Sequence, residues 1–266
     1  MNPDLKQLVN RVCEVAREAG MLILKESAQF SMSKVETKGL HDMVSYVDRE
    51  SEKFLTNALS GLLPGSGFIT EEGTIEDNIK EYTWIIDPLD GTTNFLHHLS
   101  PYSVSIALSK EGKVILGVVY VIGSDELFYA TRGEGAYMNG DPIKVSGTKE
   151  LNSSLIATGF PYNNFTRLED FMKSLEYFMR NCQGVRRLGS AAVDLAYVAC
   201  GRFDAFYEYN LNPWDVSAGL LIVREAGGRT SNFTGSDIET DGHETVASNS
   251  LIFKEFREIV GNFMAL

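Results

Sequence analysis

Two apolar segments separated by a short polar turn place the strongest constraint on the fold of this chain. The segments are YSVSIALS (102–109) and KVILGVVYVI (113–122), and Lys110, Glu111 and Gly112 lie between them. Segments rich in valine and isoleucine are typical of β-strands, and a short connection that contains glycine is typical of a hairpin. The sequence therefore predicts an antiparallel pair of strands in the first half of the chain.

The segments around this hairpin predict a mixed front half, which extends to about residue 150. Apolar residues recur at spacings of three and four over about 4–27 and again over 47–59, which predicts two amphipathic helices. The segments GFIT, YTWIID and ELFYATRG predict further strands. We therefore expect an α+β half in which antiparallel pairing dominates.

Strands and helices alternate in the back half, about 151–266. The segments SSLIATGF, GVRRL, FDAFYEY and ETVASN have strand character, and helices are predicted over 167–180, 190–199, 214–226 and from about 252. Such alternation is typical of an α/β layer. Because no low-complexity linker and no internal repeat separates the halves, we expect residues 1–266 to form a single layered domain.

The charge and the cysteines restrict the class of protein. The net charge of −12, from 24 basic and 36 acidic residues, argues against nucleic acid or an anionic membrane as a partner. An acidic enzyme for an anionic substrate needs local positive charge, and a divalent metal is the obvious source. Cys13, Cys182 and Cys200 have no paired spacing, and no apolar run resembles a membrane span or a signal peptide. We therefore expect a protein of the reducing cytoplasm.

Acidic side chains gather at the ends of predicted elements. Asp87 and Asp90 follow the strand TWII in a turn that contains proline, the pair Glu71 and Glu72 follows GFIT, and Asp215 begins the helix of WDVSAGLLIV. Each acid alone is explained by an ordinary turn, a solvated loop or a helix start. Together they indicate a metal site, because Mg²⁺ prefers oxygen ligands. Two carboxylates three residues apart can converge on one ion, with the intervening backbone carbonyl of Leu89 as a further ligand.

The residues after Asp90 predict an anion site. Gly91 and the two threonines that follow it can open a short helix whose free N–H groups face a bound anion. Metal ligands beside such a helix start imply phosphate chemistry. A haloacid-dehalogenase-type phosphatase is disfavoured, because its motif has one residue between the two acids, whereas Pro88 and Leu89 both intervene here.

These motifs together resemble the inositol monophosphatase family. DPLDGTTNF, with EEG upstream and PWDVSAGLLIVREAGG downstream, is similar to these Mg²⁺-dependent, lithium-sensitive phosphatases, and GVRRLGSAAVDLAYVACGRFDAFYEY is similar to the bacterial members. The resemblance runs from the first predicted helix to the last. It implies the layered α-β-α-β-α sandwich of the inositol monophosphatase and fructose-1,6-bisphosphatase type, two to three Mg²⁺ ions per site, and a homodimer.

The resemblance also implies the metal ligands. They are Glu71 and the Leu89 carbonyl for metal 1, Asp87 for metals 1 and 2, and Asp90 and Asp215 for metal 2. Glu72 remains the alternative to Glu71, since the register of the pair is open. Asp42 matches an acid that acts through water near a third metal. The family often has a lysine five residues before this acid, where the chain has Thr37 followed by Lys38, so the resemblance assigns no role to Lys38.

Phosphate and substrate contacts follow from the same resemblance. Gly91 and Thr92 match the phosphate-binding helix start. The implied substrate contacts are Asp90, Gly189, Ser190, Ala191, Glu208 and Asp215. The implied reaction is direct attack by metal-activated water, in which Glu71 and Thr92 handle the proton and Asp87 holds both metals.

Inositol 1-phosphate is the predicted substrate. Alternatives with the same fold are phosphatases of fructose 1,6-bisphosphate, 3′-phosphoadenosine 5′-phosphate, NADP or histidinol phosphate, and an alternative of another class is a regulatory or binding protein. Three other features have simpler interpretations. We expect His97 and His98 at the surface or packed in a turn, and Cys200 as buried filling. Arg186 and Arg187 are expected at a surface or interface, with contact to the substrate phosphate as the alternative.

Overall fold

The computed structural model describes residues 3–27, 35–39, 42–162 and 164–264, with the backbone alone for 35–39 and 42–45. Each predicted helix is present within a few residues of its expected bounds. The helices are α1 Leu5–Ser27, α2 Tyr46–Leu62, α3 Thr92–Leu96, α4 Leu168–Asn181, α5 Ala191–Ala199, α6 Pro213–Glu225 and α7 Phe253–Met264. None of these helices is both long and apolar enough to cross a membrane.

The strands form a small antiparallel pair and two larger sheets. The pair is β1 Val35–Gly39 with β2 Asp42–Ser45. The seven-stranded sheet contains, in spatial order, β3 Gly67–Thr70, β4 Tyr82–Asp90, β5 Ser103–Lys110, β6 Lys113–Val121, β7 Glu126–Thr131, β8 Ala136–Met138 and β9 Asp141–Ile143. The five-stranded sheet contains β10 Leu155–Thr158, β11 Gly184–Arg186, β12 Ala205–Tyr209, β13 Arg229–Ser231 and β14 Glu244–Ser248, in the order β11-β10-β12-β14-β13.

The predicted hairpin is confirmed. Strands β5 and β6 pair antiparallel up to Lys110 and Lys113, and the two residues between them have positive φ values, 50° for Glu111 and 80° for Gly112. Positive φ at both loop residues is the geometry of a type I′ hairpin turn. Antiparallel pairing also dominates the rest of this sheet, since only β3 and β4 are parallel. The back sheet is mixed: β10 is parallel to β11 and β12, whereas β14 is antiparallel to β12 and β13.

The elements stack in the expected α-β-α-β-α sandwich. Helices α1 and α2 pack on one face of the seven-stranded sheet, α5 and α6 lie between the two sheets, and α4 and α7 cover the outer face of the five-stranded sheet. Strand β4 contacts two of these layers, because Trp84 and Ile86 join the cluster of α1 and α2 whereas Ile85 joins that of α5 and α6. Burial on both faces explains its continuous apolar run.

Close packing places the start of α6 beside β4 and β5. The helix approaches the sheet at Gly117 of β6, where a Cβ atom would lie 2.8 Å from the carbonyl oxygen of Ala218. One turn earlier, Ser105 Oγ of β5 donates to the carbonyl of Trp214 at 3.2 Å. The residue after Trp214 is Asp215, so these contacts bring its carboxylate to the end of β4.

Candidate active site

A β-bulge in β4 explains the spacing of Asp87 and Asp90. Asp87 is paired with Ser105 of β5 and Asp90 with Ser103, so three steps on β4 match two on β5. Residues three apart in a regular strand face opposite sides of the sheet, and one extra residue returns them to the same side. The expected turn after TWII is therefore wrong, because the strand continues to Asp90. The bulge contains Pro88, which lacks the N–H that a regular ladder needs.

Every predicted site residue whose side chain the structure describes lines one cavity of about 380 Å³. These residues are Glu71, Asp87, Leu89, Asp90, Gly91, Thr92, Gly189, Ser190, Ala191, Glu208 and Asp215. The side chains of Asp42 and Lys38 lie outside the described part of the chain. Glu71 lines the cavity, whereas the backbone N–H of Glu72 faces away, into a hydrogen bond with Glu52.

Hydrogen bonds hold the backbone that follows the bulge. The Leu89 N–H donates to Asp87 Oδ1 at 2.9 Å. The Thr92 hydroxyl lies 3.0 Å from the Leu89 carbonyl oxygen and 2.9 Å from Asp48 Oδ1. A hydroxyl has one proton and can donate to only one of these acceptors at a time. Asp48 of α2 is fully buried, and we did not identify it from the sequence.

The predicted short helix at the phosphate motif is present. Gly91 precedes α3 with a φ of 93°, a left-handed conformation that glycine adopts without strain. A Cβ atom at this position would lie 3.2 Å from the Pro101 carbonyl oxygen and 3.3 Å from that of Gly189. Within α3, Asn94 Nδ2 donates to the carbonyls of Pro101 and Leu188 at 2.7 and 2.8 Å. The motif is therefore tied to the segment GVRRLGS of the back half.

Burial raises the pKa of all four clustered acids, and neighbouring carboxylates add to the rise for Glu71, Asp87 and Asp215. Burial, followed by the charge of Asp215, raises the pKa of Glu71 well above its usual value, and burial followed by Glu71 does the same for Asp87. Burial raises the pKa of Asp90 to about 6, against the opposing hydrogen bond from Ser190. Burial and the charge of Asp90 raise the pKa of Asp215 to about 7. Such a cluster holds protons until a cation replaces them.

The donor chemistry of this cluster fits a hard divalent cation. It combines carboxylates with a backbone carbonyl, and Mg²⁺ prefers oxygen donors of this kind. The carboxyls of Glu71 and Asp87 are hydrogen-bonded to each other. Among the described residues no three His, Cys, Asp or Glu side chains surround a common point as they stand. Holding an ion therefore requires Glu71 and Asp87 to lose their shared proton and turn toward it.

Two further acids, Glu208 and Asp194, line the cavity. Glu208 of β12 packs against Gly159, where a Cβ atom would lie 1.9 Å from Glu208 Oε1. Asp194 of α5 is fully buried, and neither of its carboxylate oxygens has a hydrogen-bond partner in the described ranges. Burial raises the pKa of both groups well above the usual values. The signal for Asp194 in the sequence was an acid within the otherwise apolar segment AAVDLAYVA.

Arg187 lies in the cavity, although we expected a surface or interface role for it. Its guanidinium donates to the hydroxyl of Tyr162 and lies over the rings of Phe160 and Tyr162. It is the arginine whose charge lowers the pKa of Asp90, Asp194 and Glu208. His97 and His98 are exposed, as expected. Cys200 is partly buried and packs against the apolar cluster that contains α5 and α6.

Comparison with known proteins finds relatives along nearly the whole chain. The model of the Inositol monophosphatase family matches residues 4–262. The chain is 42% identical over 246 residues to the Inositol-1-monophosphatase of Mesorhizobium japonicum, and the match covers 92% of each protein. It is 40% identical over 255 residues to the Nus factor SuhB of Pseudomonas aeruginosa, with 94% of each protein covered.

A solved structure shares the fold. The crystal structure of the extragenic suppressor protein suhB from Bartonella henselae matches with a TM-score of 0.89 and 39% sequence identity. The match covers 94% of this chain and 97% of that one.

Proposed function

The chain belongs to the inositol monophosphatase family, and we propose that it is a Mg²⁺-dependent phosphomonoesterase that hydrolyses inositol 1-phosphate to inositol and phosphate. The observation that carries the proposal is the convergence of Glu71, Asp87, Asp90 and Asp215 with the Gly91 helix start in one cavity. Four buried acids with raised pKa values favour a bound cation, and a helix start beside them suits an anion.

The acids and one carbonyl would hold the metal. Its ligands would be Glu71, Asp87, the Leu89 carbonyl, Asp90 and Asp215, with Asp42 near a third ion. Bound Mg²⁺ would neutralise the phosphate and acidify a water molecule. The requirement for Mg²⁺ is tested by adding a chelator, which should abolish phosphate release, and then by adding back Mg²⁺, which should restore it. We also expect inhibition by Li⁺. Full activity in chelator would contradict the metal assignment.

The remaining chemistry belongs to residues of the chain. The first N–H groups of α3 lack helical acceptors and would donate to phosphate oxygens. The Thr92 hydroxyl would donate its proton to Asp48 or to the Leu89 carbonyl. Its oxygen would then be free to accept a hydrogen bond from the attacking water. Glu71 would take the proton of that water.

The charged side chains of the cavity wall suit a substrate whose leaving group carries several hydroxyls. Glu208 and Asp194 offer carboxylate acceptors, both oxygens of Asp194 lack a hydrogen-bond partner among the described residues, and Arg187 adds a donor. A carboxylate buried without a donor is costly, so a substrate hydroxyl that donates to Glu208 is favoured. A panel of inositol 1-phosphate, fructose 1,6-bisphosphate, 3′-phosphoadenosine 5′-phosphate, NADP and histidinol phosphate, with released phosphate as readout, tests the substrate. Faster hydrolysis of any other member of the panel would overturn the assignment of inositol 1-phosphate as the substrate.

A second candidate role is regulatory, and it is favoured by the name of the Pseudomonas aeruginosa relative, a Nus factor. The two roles can be separated with Asp87→Asn, which should remove hydrolysis while leaving the surface unchanged. If a strain that lacks this protein recovers fully with the inactive variant, the regulatory role is the physiological one. Recovery with the wild type alone would favour the phosphatase.

A further inference from the structure

Glu52 is a buried acid that faces the active site from the opposite side to the cavity. It lies in α2 with no solvent exposure, and it does not line the cavity. Its carboxylate receives three hydrogen bonds from one loop. Oε2 accepts from the Glu72 N–H, and Oε1 accepts from the N–H and the hydroxyl of Thr74, all at 2.7 Å.

The loop curls around this carboxylate. Gly73, between the two bound residues, has a φ of 60°, which allows the N–H groups on either side of it to point at one acceptor. Glu71 immediately precedes Glu72, the first bound residue, and lines the cavity. The hydrogen bonds to Glu52 therefore fix the backbone from which the Glu71 side chain projects.

One face of α2 contacts three separate segments of the site. Asp48 Oδ1 lies 2.9 Å from the Thr92 hydroxyl oxygen. Ser51 Oγ donates to the carbonyl oxygen of Pro88, in the bulge, at 3.1 Å. Positions 48, 51 and 52 have the spacing of one helix face. Glu52 supplies the contact for the third segment, the loop 72–74.

We propose that Glu52 is a positioning residue, which anchors loop 72–74 and thereby holds Glu71 in place for the metal. This inference rests on the proposed function, in which Glu71 is a ligand. The anchor needs a carboxylate, because all three partners are donors. A glutamine presents one oxygen and one NH₂ group, so it would set a donor against a donor.

Magnesium titration calorimetry of the wild type, Glu52→Gln and Asp204→Asn tests the proposal. Asp204 is a matched control, because it is also buried and accepts the Leu155 N–H at 2.6 Å and the Ser146 hydroxyl at 2.5 Å, away from the cavity. We expect Glu52→Gln to weaken Mg²⁺ binding by about 10–100-fold, the usual effect of losing a partner that orients a metal ligand. Asp204→Asn should keep the affinity of the wild type. Equal affinity in Glu52→Gln, or an equal loss in Asp204→Asn, would overturn the proposal.

Amide hydrogen exchange in chelator tests, without any bound metal, whether Glu52 holds loop 72–74. Faster exchange at Glu72 and Thr74 in Glu52→Gln supports the anchor, and unchanged exchange overturns it. If the wild type binds no Mg²⁺, the proposed function fails, and with it the purpose of the anchor, whereas the exchange data still decide whether Glu52 holds the loop.

If Glu52→Gln does not fold, Thr74→Val removes one of the three donors from the loop side. It should weaken Mg²⁺ binding in the same direction by a smaller factor, and unchanged binding would overturn the proposal.

Discussion

Asp90 and Ser190, which are 100 residues apart in the sequence, are joined by a hydrogen bond of 2.6 Å from Ser190 Oγ to Asp90 Oδ2. The same carboxylate oxygen accepts the N–H of Ala192, in the first turn of α5, at 2.8 Å. The positive end of the α5 dipole favours a negative charge there. Asp90 thus connects the acid cluster of the front half to the predicted substrate contacts of the back half.

Replacing Ser190 by alanine should weaken both the helix and the site. Ser190 is the N-cap of α5, and its Oγ also accepts from the Val193 N–H, so Ser190→Ala should cost about 1 kcal/mol of unfolding free energy. With Asp90 less well held, half-maximal activity should require several-fold more Mg²⁺. Thermal melting and Mg²⁺ titration of activity measure these effects. The control is Ser124→Ala, an exposed hydroxyl outside the cavity. An unchanged Mg²⁺ requirement would show that Ser190 does not position Asp90.

Asp215→Asn separates the catalytic from the structural use of this acid. The asparagine can still accept the Asn212 N–H that now bonds to Asp215 Oδ2 at 2.7 Å, so the capping box is kept. Loss of the charge should lower kcat at least ~100-fold, on the scale of one transition-state electrostatic contact. The melting temperature in chelator should be unchanged or higher, because burial and then the charge of Asp90 raise the pKa of Asp215 and so disfavour its charged form. Asp170→Asn, in the first turn of α4, is the matched control and should keep full activity.

Asp194→Asn should change how stability depends on pH. Burial, and then the charges of Glu208 and Asp90, raise the pKa of Asp194 well above 3.8, while Arg187 opposes the rise. The folded protein therefore holds a proton that the unfolded chain releases, and the slope of unfolding free energy with pH is negative. This stabilisation is complete below about pH 4 and is lost as the pH rises through the raised value.

The measurement is the melting temperature in chelator between pH 5 and pH 9. Asp194→Asn should be more stable than the wild type at the alkaline end, and the difference should shrink toward acid pH. Asp204→Asn, which removes a buried acid that accepts two hydrogen bonds, should destabilise throughout. A difference between Asp194→Asn and wild type that does not vary with pH would refute the prediction.

Gly159→Ala should impair recognition of a hydroxylated leaving group. The new Cβ atom would occupy the present position of the Glu208 carboxylate, which must then move. We expect KM for inositol 1-phosphate to rise about 10-fold or more, the scale of an unpaired polar contact, with little change for p-nitrophenyl phosphate. Gly147→Ala is the control, because nothing lies within 4 Å of its Cβ position. Equal losses on both substrates would mean that Glu208 does not contact the leaving group.

An apolar face on and near α4 supports the expected homodimer. Leu168, Met172 and Met179 have the spacing of one face of α4 and are between 37% and 59% exposed. Clusters of exposed apolar side chains are typical of protein interfaces. We expect light scattering to report a dimer of the 29.5 kDa chain, and Met172→Asp combined with Met179→Asp to shift it toward monomer. Leu251→Asp, an equally exposed site elsewhere, is the control. A monomeric wild type at micromolar concentration would contradict the prediction.

Local sequence alone predicted the helices, nine of the strands and the family, but it missed β1, β2, β8, β9 and β13. The hairpin around Glu111 and Gly112 followed from two strand-forming segments and a glycine-containing turn, which are local properties. The motif DPLDGTTNF contains two of the four clustered acids, Asp87 and Asp90, which are close together in the chain. The sandwich fold followed from the family resemblance.

Only the tertiary structure decided how these residues are arranged. The bulge at Pro88 depends on the pairing of β4 with β5, and a register between strands cannot be read from one strand. Asp48, Glu52 and Arg187 had ordinary explanations as charged helix or surface residues. Their contacts come from segments 20 or more residues away in the sequence, as in the bonds from Glu72 to Glu52 and from Arg187 to Tyr162. The burial that raises the pKa values of the acids arises only when both halves of the chain enclose the cavity.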